Sequence, residues 1–285
     1  MGQSFSGIGA YHGLAAIQRS GTPRFLYAVN PIGDIASYQL PLKTGESPAV
    51  TLAVTTAGLT NDSNYLYAST RNGLKVAAYP LPLTPSETPA TTLAVLGSGA
   101  ETVAGHFLYV GLQGSNGTSG GVAAYNTPLH AQEKPAAVTS VAAPLVMATD
   151  GTNLYLITSI VNGQNTLAVL PLPLKNNESP SLVLSGLNSP AGLAVRHGLL
   201  YLSSYDNAAV NVYKLPLKSG AQPATTLSTG FRWAGSLAVN DAHLYVSDTS
   251  GSAWAYALPI QSGEKPTAYV GASRATYGNL LSTVP

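Results

Sequence analysis

The stretch Leu200-Tyr201-Leu202-Ser203, followed by Val210-Asn211-Val212-Tyr213-Lys214-Leu215-Pro216-Leu217 and then by Pro223, occurs in six versions along the 285-residue chain. Leu-Tyr pairs stand at Leu26-Tyr27, Leu66-Tyr67, Leu108-Tyr109, Leu154-Tyr155, Leu200-Tyr201 and Leu244-Tyr245, at steps of 40, 42, 46, 46 and 44 residues. Each is followed by a proline among apolar residues: Pro41, Pro82, Pro128, Pro173, Pro216 and Pro259. A second proline comes seven residues after each of these, at Pro48, Pro89, Pro135, Pro180, Pro223 and Pro266. Two residues before the second proline stands a glutamate in five units (Glu46, Glu87, Glu133, Glu178 and Glu264), and Ala221 in the remaining one. A fixed internal period of this length is the mark of a repeat architecture.

Each unit reads as four short strands. The first is small and apolar, as in Gly192-Leu193-Ala194-Val195 and Ser236-Leu237-Ala238-Val239, and the second is the Leu-Tyr strand. The third runs toward Leu-Pro-Leu, as in residues 76–83 and 210–217, and should end there because proline is confined to strand ends, edges and bulges. The fourth follows the second proline, as in residues 90–93 and 224–227. Turn formers such as Asn72-Gly73, Asp150-Gly151, Asn162-Gly163 and Lys218-Ser219-Gly220 separate the strands. No window keeps a helical period for three turns. Four strands in about 40–45 residues describe a propeller blade, whose first strand must be small because it lines a crowded axis. An open solenoid would need polar capping repeats, and neither end supplies one. The fold expected is therefore all-β, a single six-bladed β-propeller with four antiparallel strands per blade, its blades at 13–50, 51–93, 94–139, 140–184, 185–227 and 228–270.

Two segments compete for the innermost place in blade 1. Gly278 follows Pro266 at the spacing that separates Pro180 from Gly192 and Pro223 from Gly235, so residues 279–284 have the register of a first strand and 271–285 could close the ring. Residues 13–17 also read as a first strand, and would form a local hairpin at lower loop-closure cost. The C-terminal segment is the expected one, because it would stitch the last blade to the first.

The succession Leu-Tyr-Val-Ser, Val-x-x-Tyr-x-Leu-Pro-Leu, Gly-Glu-x-Pro and Gly-Leu-Ala-Val resembles the repeats of bacterial NHL-like and YncE-like β-propellers, from about Leu14 to the C-terminus. The resemblance implies the fold. For function it implies only a range, from binding platforms to lyases and lactonase-like hydrolases, and fold analogy alone warrants none of them. It also implies that ligands bind on the face shared by the second-to-third-strand loops and the linkers between blades.

Composition narrows the function classes. Charged residues are only 9%, against roughly 25% in an average domain, and 13 Lys and Arg balance 12 Asp and Glu. No basic patch for nucleic acid emerges, and no apolar run approaches the ~18 residues needed to cross a bilayer. The absence of cysteine removes disulfides and thiolate chemistry. Low charge with many Ser, Thr and Tyr suits an extracellular or periplasmic bacterial protein, although Met1-Gly2-Gln3 does not open a signal-peptide pattern.

The polar residues sort by repeat position. The recurring turn glutamates, beside Lys43, Lys134, Lys175, Lys218 and Lys265, read as solvated turn residues rather than as a charged ring for a partner. Asp62, Asp150 and Asp241, with His106, His197 and His243, fall in first-to-second-strand turns, where polar side chains cap the backbone. Three histidines on separate blades are too dispersed for one metal, and no metal site is expected. Asp34, Asp206, Asp248 and Glu101 are expected on the opposite face. There the repeat also departs most from itself. Phe231-Arg232-Trp233 stands where unit 4 has Asn188-Ser189-Pro190, and Arg274 and Tyr277 stand in the next linker.

Tyr205, Asp206, Phe231, Arg232, Trp233, Arg274 and Tyr277 are thus the candidate ligand-binding residues, with Tyr11 and His12 nearby. Arg and Trp are favoured recognition elements. The function expected is a non-catalytic binding or scaffold module for a small carbohydrate or peptide ligand, or for a protein partner, without cofactor, nucleic acid or membrane insertion. Two alternatives stand beside it. One is a metal-assisted lactonase or lyase at the central channel, using Asp248, Asn30 and Glu101 around a divalent cation, with His12 as base. The other is a propeller that docks into an assembly by its side or its Glu/Lys face. Phosphate-loop and His-Glu-x-x-His motifs are absent from the sequence, and no Gly-x-Ser-x-Gly stands at a strand-to-helix elbow.

Overall fold

The computed structural model describes residues 14–16, 25–30, 32–70, 74–95, 97–114, 119–158, 165–248 and 252–271. These form six sheets, each of four consecutive antiparallel strands, spanning 14–52, 56–94, 97–142, 144–187, 190–227 and 237–270. The innermost strand of each sheet touches that of the next, and blade 6 touches blade 1, so the ring is closed. The protein is a six-bladed β-propeller, and no helix occurs among the described residues.

The innermost strand of blade 1 is Leu14–Ala16, paired antiparallel with Phe25–Val29. The N-terminal segment therefore holds the place expected for the C-terminal one. It is the partner nearer in sequence, with the smaller loop-closure entropy to overcome. Residues 279–284 lie outside the described part.

Each seam between blades is an apolar cluster contributed by two neighbours, as in Tyr27, Val29 and Ile35 of blade 1 against Leu59, Leu66 and Tyr79 of blade 2. The six Leu-Tyr tyrosines occupy equivalent places and are at most 2% exposed. Burying a large apolar side chain contributes about 1.5–3 kcal/mol, so these rings are the main glue of the seams. Their hydroxyls need partners, since an orphaned buried hydroxyl costs about 1–3 kcal/mol. Tyr67 donates to Asp62 at 2.8 Å and Tyr155 to Asp150 at 2.8 Å. Tyr245 accepts from Asn240 Nδ2 at 2.9 Å. The same carboxylates cap their turns, Asp150 Oδ1 accepting from the backbone of Thr152 and Asn153.

In blade 6 the cap is Asn240, which accepts from the backbone of Ala242 and His243. The aspartate expected there, Asp241, is drawn across the seam to Arg196 and His197 of blade 5 instead. Small residues are required where first strands crowd together: a Cβ at Gly192 would come within 2.5 Å of the Gly235 carbonyl oxygen. The third strands Lys75–Pro80 and Ala209–Lys214 stop just short of Leu-Pro-Leu.

Candidate functional site

Antiparallel order fixes two faces. First-to-second and third-to-fourth turns share one face, here the turn face. Second-to-third hairpins and the linkers between blades share the other, the loop face.

On the turn face, the recurring glutamates fold back onto their own turns. Glu46 accepts from the backbone of Lys43, Glu133 from that of His130 and Glu264 from that of Gln261, while Thr84 donates its hydroxyl to Glu87 at 2.8 Å. The backbone turn beneath them also forms at Ala221, whose N–H reaches the Lys218 carbonyl at 3.0 Å. The acid decorates this turn and does not create it.

On the loop face, the linker 228–236 between blades 5 and 6 is built around its own anchors. Gly230 sits at φ 96° with the Tyr256 hydroxyl pressed against it, a backbone conformation that favours glycine. Tyr256 donates to the Thr229 carbonyl at 2.5 Å. Phe231 turns inward, is 7% exposed and meets the Tyr256 ring edge-on at 6.0 Å. With Phe231 buried in the seam, the next two residues are thrown outward. Arg232 is exposed, and its guanidinium carbon lies 4.2 Å from the centroid of the Trp233 ring system. Trp233 is half-buried and stacks on Tyr205 at 5.9 Å, planes 10° apart.

Tyr205 comes from the hairpin of blade 5, which is fastened to the preceding linker. The Tyr205 N–H reaches the Ser189 carbonyl at 2.8 Å, Ser189 donates its hydroxyl to Asp206, and Asn188 donates to Asn207 at 3.1 Å. Arg232 makes no ion pair among the described residues. The Trp233 N–H and the Tyr205 hydroxyl make no hydrogen bond there either. The structure thus brings together Tyr205, Asp206, Arg232 and Trp233, and gives Phe231 the role of anchor beneath them. Arg274, Tyr277, Tyr11 and His12 lie outside the described residues.

The other acids separate. Asn30 caps its own hairpin, accepting from the backbone of Ile32 and Asp34 at 3.1 and 2.9 Å. Asp34 takes the Asn30 side-chain amide at 3.4 Å. Asp248 is buried, accepts from the Ser252 backbone and faces the Trp254 indole at 3.4 Å. Glu101 does not reach the loop face. It lies on the innermost strand of blade 3, Gly97–Ala104, 6% exposed, with its Oε1 taking the Ser69 N–H of blade 2 at 3.3 Å. Burial pushes its pKa up to about 8, against the lowering effect of the Ser69 hydroxyl and N–H. Glu101 lines a narrow cavity of about 80 Å³ bordered by the first strands of five blades. The sequence carried a signal for this: Ala100-Glu101-Thr102-Val103 stands where unit 5 has Gly192-Leu193-Ala194-Val195. A second, wider depression of about 610 Å³ on blade 2, lined by Val54, Thr56, Thr70 and Tyr79 among others, had no counterpart in the sequence reading.

No family model and no curated protein matches the sequence. Solved structures do. The chain is similar to one in the nidogen/laminin complex, with a TM-score of 0.56 and 12% identity over 75% of this chain and 78% of that one. It is similar to the WD40 β-propeller domain of Doa1, with a TM-score of 0.58 and 10% identity over 91% and 84%. Hydrazine synthase of Kuenenia stuttgartiensis gives 0.58 and 11% over 90% and 80%. At such identities the likeness is one of fold, and proteins so different attach no single activity to it.

Proposed function

We propose that this protein is a non-catalytic binding propeller that holds a carbohydrate or peptide ligand on its loop face, over blades 5 and 6. The observation that carries this reading is the half-buried Tyr205–Trp233 stack with Arg232 laid over the indole. Two rigid rings offer broad contact at small entropic cost, and the guanidinium offers paired donors to a hydroxyl pair or a carboxylate. Asp206, exposed beside them, adds an acceptor.

The resemblance of the repeat to NHL-like and YncE-like propellers supports a platform role. The nidogen/laminin complex among the similar folds keeps a protein partner within the same reading. Low charge and absent cysteine support an extracellular or periplasmic setting, and the proposed platform requires no cofactor. The test is a combined glycan and peptide array probed with wild-type protein and with Trp233→Ala. A sugar or peptide retained by the first and lost by the second is the expected result. Retention by both overturns the reading, as does no retention by the wild type.

A further inference from the structure

The seam between blades 1 and 2 is filled by smaller side chains than the seam between blades 5 and 6. Its blade 2 wall is Leu59, Leu66, Ala68, Ala77 and Tyr79. Tyr67 pairs with Ala78, and Tyr245 with Ala255. The register equivalents in blade 6 are therefore Leu237, Leu244, Val246, Trp254 and Tyr256, which pack together against blade 5. Ala68 stands where Val246 does, and Ala77 where Trp254 does. At the first of these positions blades 3, 4 and 5 also carry a larger residue than alanine. These are Val110, Leu156 and Leu202, each in the seam toward the preceding blade. Blade 1 has Ala28. At the second position alanine is common, and Trp254 is a filler particular to blade 6.

The linkers widen the difference. Leu52 and Leu227 hold equivalent places on the fourth strands, but the run from Leu52 to Leu59 is three residues shorter than that from Leu227 to Leu237. The longer linker drops Phe231 into its seam, edge-on to Tyr256, and takes the Tyr256 hydroxyl on the Thr229 carbonyl. The shorter one carries no aromatic residue and leaves the Tyr79 hydroxyl without a hydrogen bond among the described residues. It is held toward blade 1, because the Thr56 N–H donates to the Gly33 carbonyl of the blade 1 hairpin at 3.0 Å. Between this linker and the sheet of blade 2 lies the depression of about 610 Å³, lined by Val54, Thr55, Ala68, Thr70, Ala77 and Tyr79 among others.

We propose that this cleft binds a small, neutral aromatic molecule of one or two fused rings. Small-molecule sites are largely preformed concavities of about 300–1,000 Å³ with mostly apolar walls and a few polar groups, and the cleft has that size and lining. The chain itself shows what fits. In the equivalent seam, the phenyl ring of Phe231 and the indole of Trp254 pack with the equivalent tyrosine, Tyr256. Tyr79 offers its ring to a guest as Tyr256 does to Phe231, in the edge-to-face arrangement that aromatic pairs favour. No charged side chain lines the cleft among the described residues. An unpaired charge is costly to bury, so a guest bearing a carboxylate or an ammonium is selected against. Thr55, which is exposed, offers a hydroxyl to a ring N–H or O–H. The cleft lies at a different seam from the Tyr205–Trp233 platform and does not depend on it.

The probe is indole, with sodium benzoate at equal concentration as control. At about 1 mM, indole should raise the thermal midpoint of the wild type by about 2 °C, and benzoate should leave it unchanged. Ala77→Trp places the residue of blade 6 in the cleft and should abolish the shift. Trp233→Ala removes the platform ring and should keep it. A crystal of the wild type soaked with 5-bromoindole needs no variant, and should show the anomalous signal of bromine between Val54 and Tyr79. Four results overturn the proposal: no shift with indole, an equal shift with benzoate, a shift kept in folded Ala77→Trp or lost in folded Trp233→Ala, and a seam without bromine.

Discussion

Tyr205 and Trp233 lie ring on ring, 5.9 Å apart and 10° from parallel, one from the hairpin of blade 5 and the other from the linker into blade 6. Two elements far apart in sequence thus share one flat aromatic surface at a seam. Neither ring is fully buried, so the stack is a surface feature resting on the core. Phe231, two residues before Trp233, belongs to the core together with Ala234 of the same linker.

Phe231 and Arg232 should therefore respond oppositely to truncation. Phe231→Ala empties a packed seam and should lose about 3–5 kcal/mol of stability. Arg232→Ala should stay within about 0.5 kcal/mol while weakening ligand binding. Denaturant unfolding of the two variants side by side checks this pair.

The Asp150 cap predicts an acid-dependent loss. Burial opposes ionisation of Asp150, but the hydroxyls of Thr152 and Tyr155 and two backbone N–H groups outweigh it and bring the pKa down to about 2. A depressed carboxylate stabilises the fold above its unfolded pKa, near 4, and loses that contribution as pH falls through its folded value. Asp150→Ala should cost about 1 kcal/mol at pH 7, the usual scale for a lost cap. Its deficit relative to wild type should shrink between pH 4 and pH 2 in urea titrations.

The turn glutamates should be nearly silent. Glu87→Ala removes one exposed hydrogen bond from Thr84 and leaves the backbone turn from Glu87 to Thr84 in place. The expected change is at most about 0.5 kcal/mol. A loss above about 2 kcal/mol in a denaturant titration would show that the turn face has a structural or assembly role.

Glu101 should make the ring less stable as pH rises. Its folded-state pKa lies above the unfolded one, so its contribution is full below about pH 4.5 and is lost as pH rises to about 8. Glu101→Leu, which restores the residue of four other blades, should gain on the wild type through that window by a few kcal/mol and hold the gain above it. A wild-type stability that is flat from pH 4.5 to 8, relative to Glu101→Leu, would contradict this assignment.

The repeat made the fold legible, because every blade solves the same packing problem with the same residues: Leu-Tyr in the seam, small residues at the axis, proline after the third strand. What the repeat could not show was which of two equivalent groups a single blade would use. Asn240 and Asp241 are both capping residues, and Arg196 and His197 on the neighbouring blade decide between them. Residues 13–17 and 279–284 both have first-strand register, and the local hairpin forms. Glu101 sorts by repeat position with the acids expected on the loop face, although its register against Leu59 and Leu193 puts it in the wall. In the candidate site, the departure from repeat consensus identified Arg232 and Trp233. Only packing could show that Phe231 faces the other way.

The platform stands or falls on Trp233→Ala, assayed for both affinity and unfolding with a ligand selected on the array. The account predicts at least a fivefold loss of affinity, about 1 kcal/mol, with cooperative unfolding and a stability change well below that of Phe231→Ala. Unchanged affinity together with a stability loss of about 3–5 kcal/mol would make Trp233 a seam plug and contradict the account.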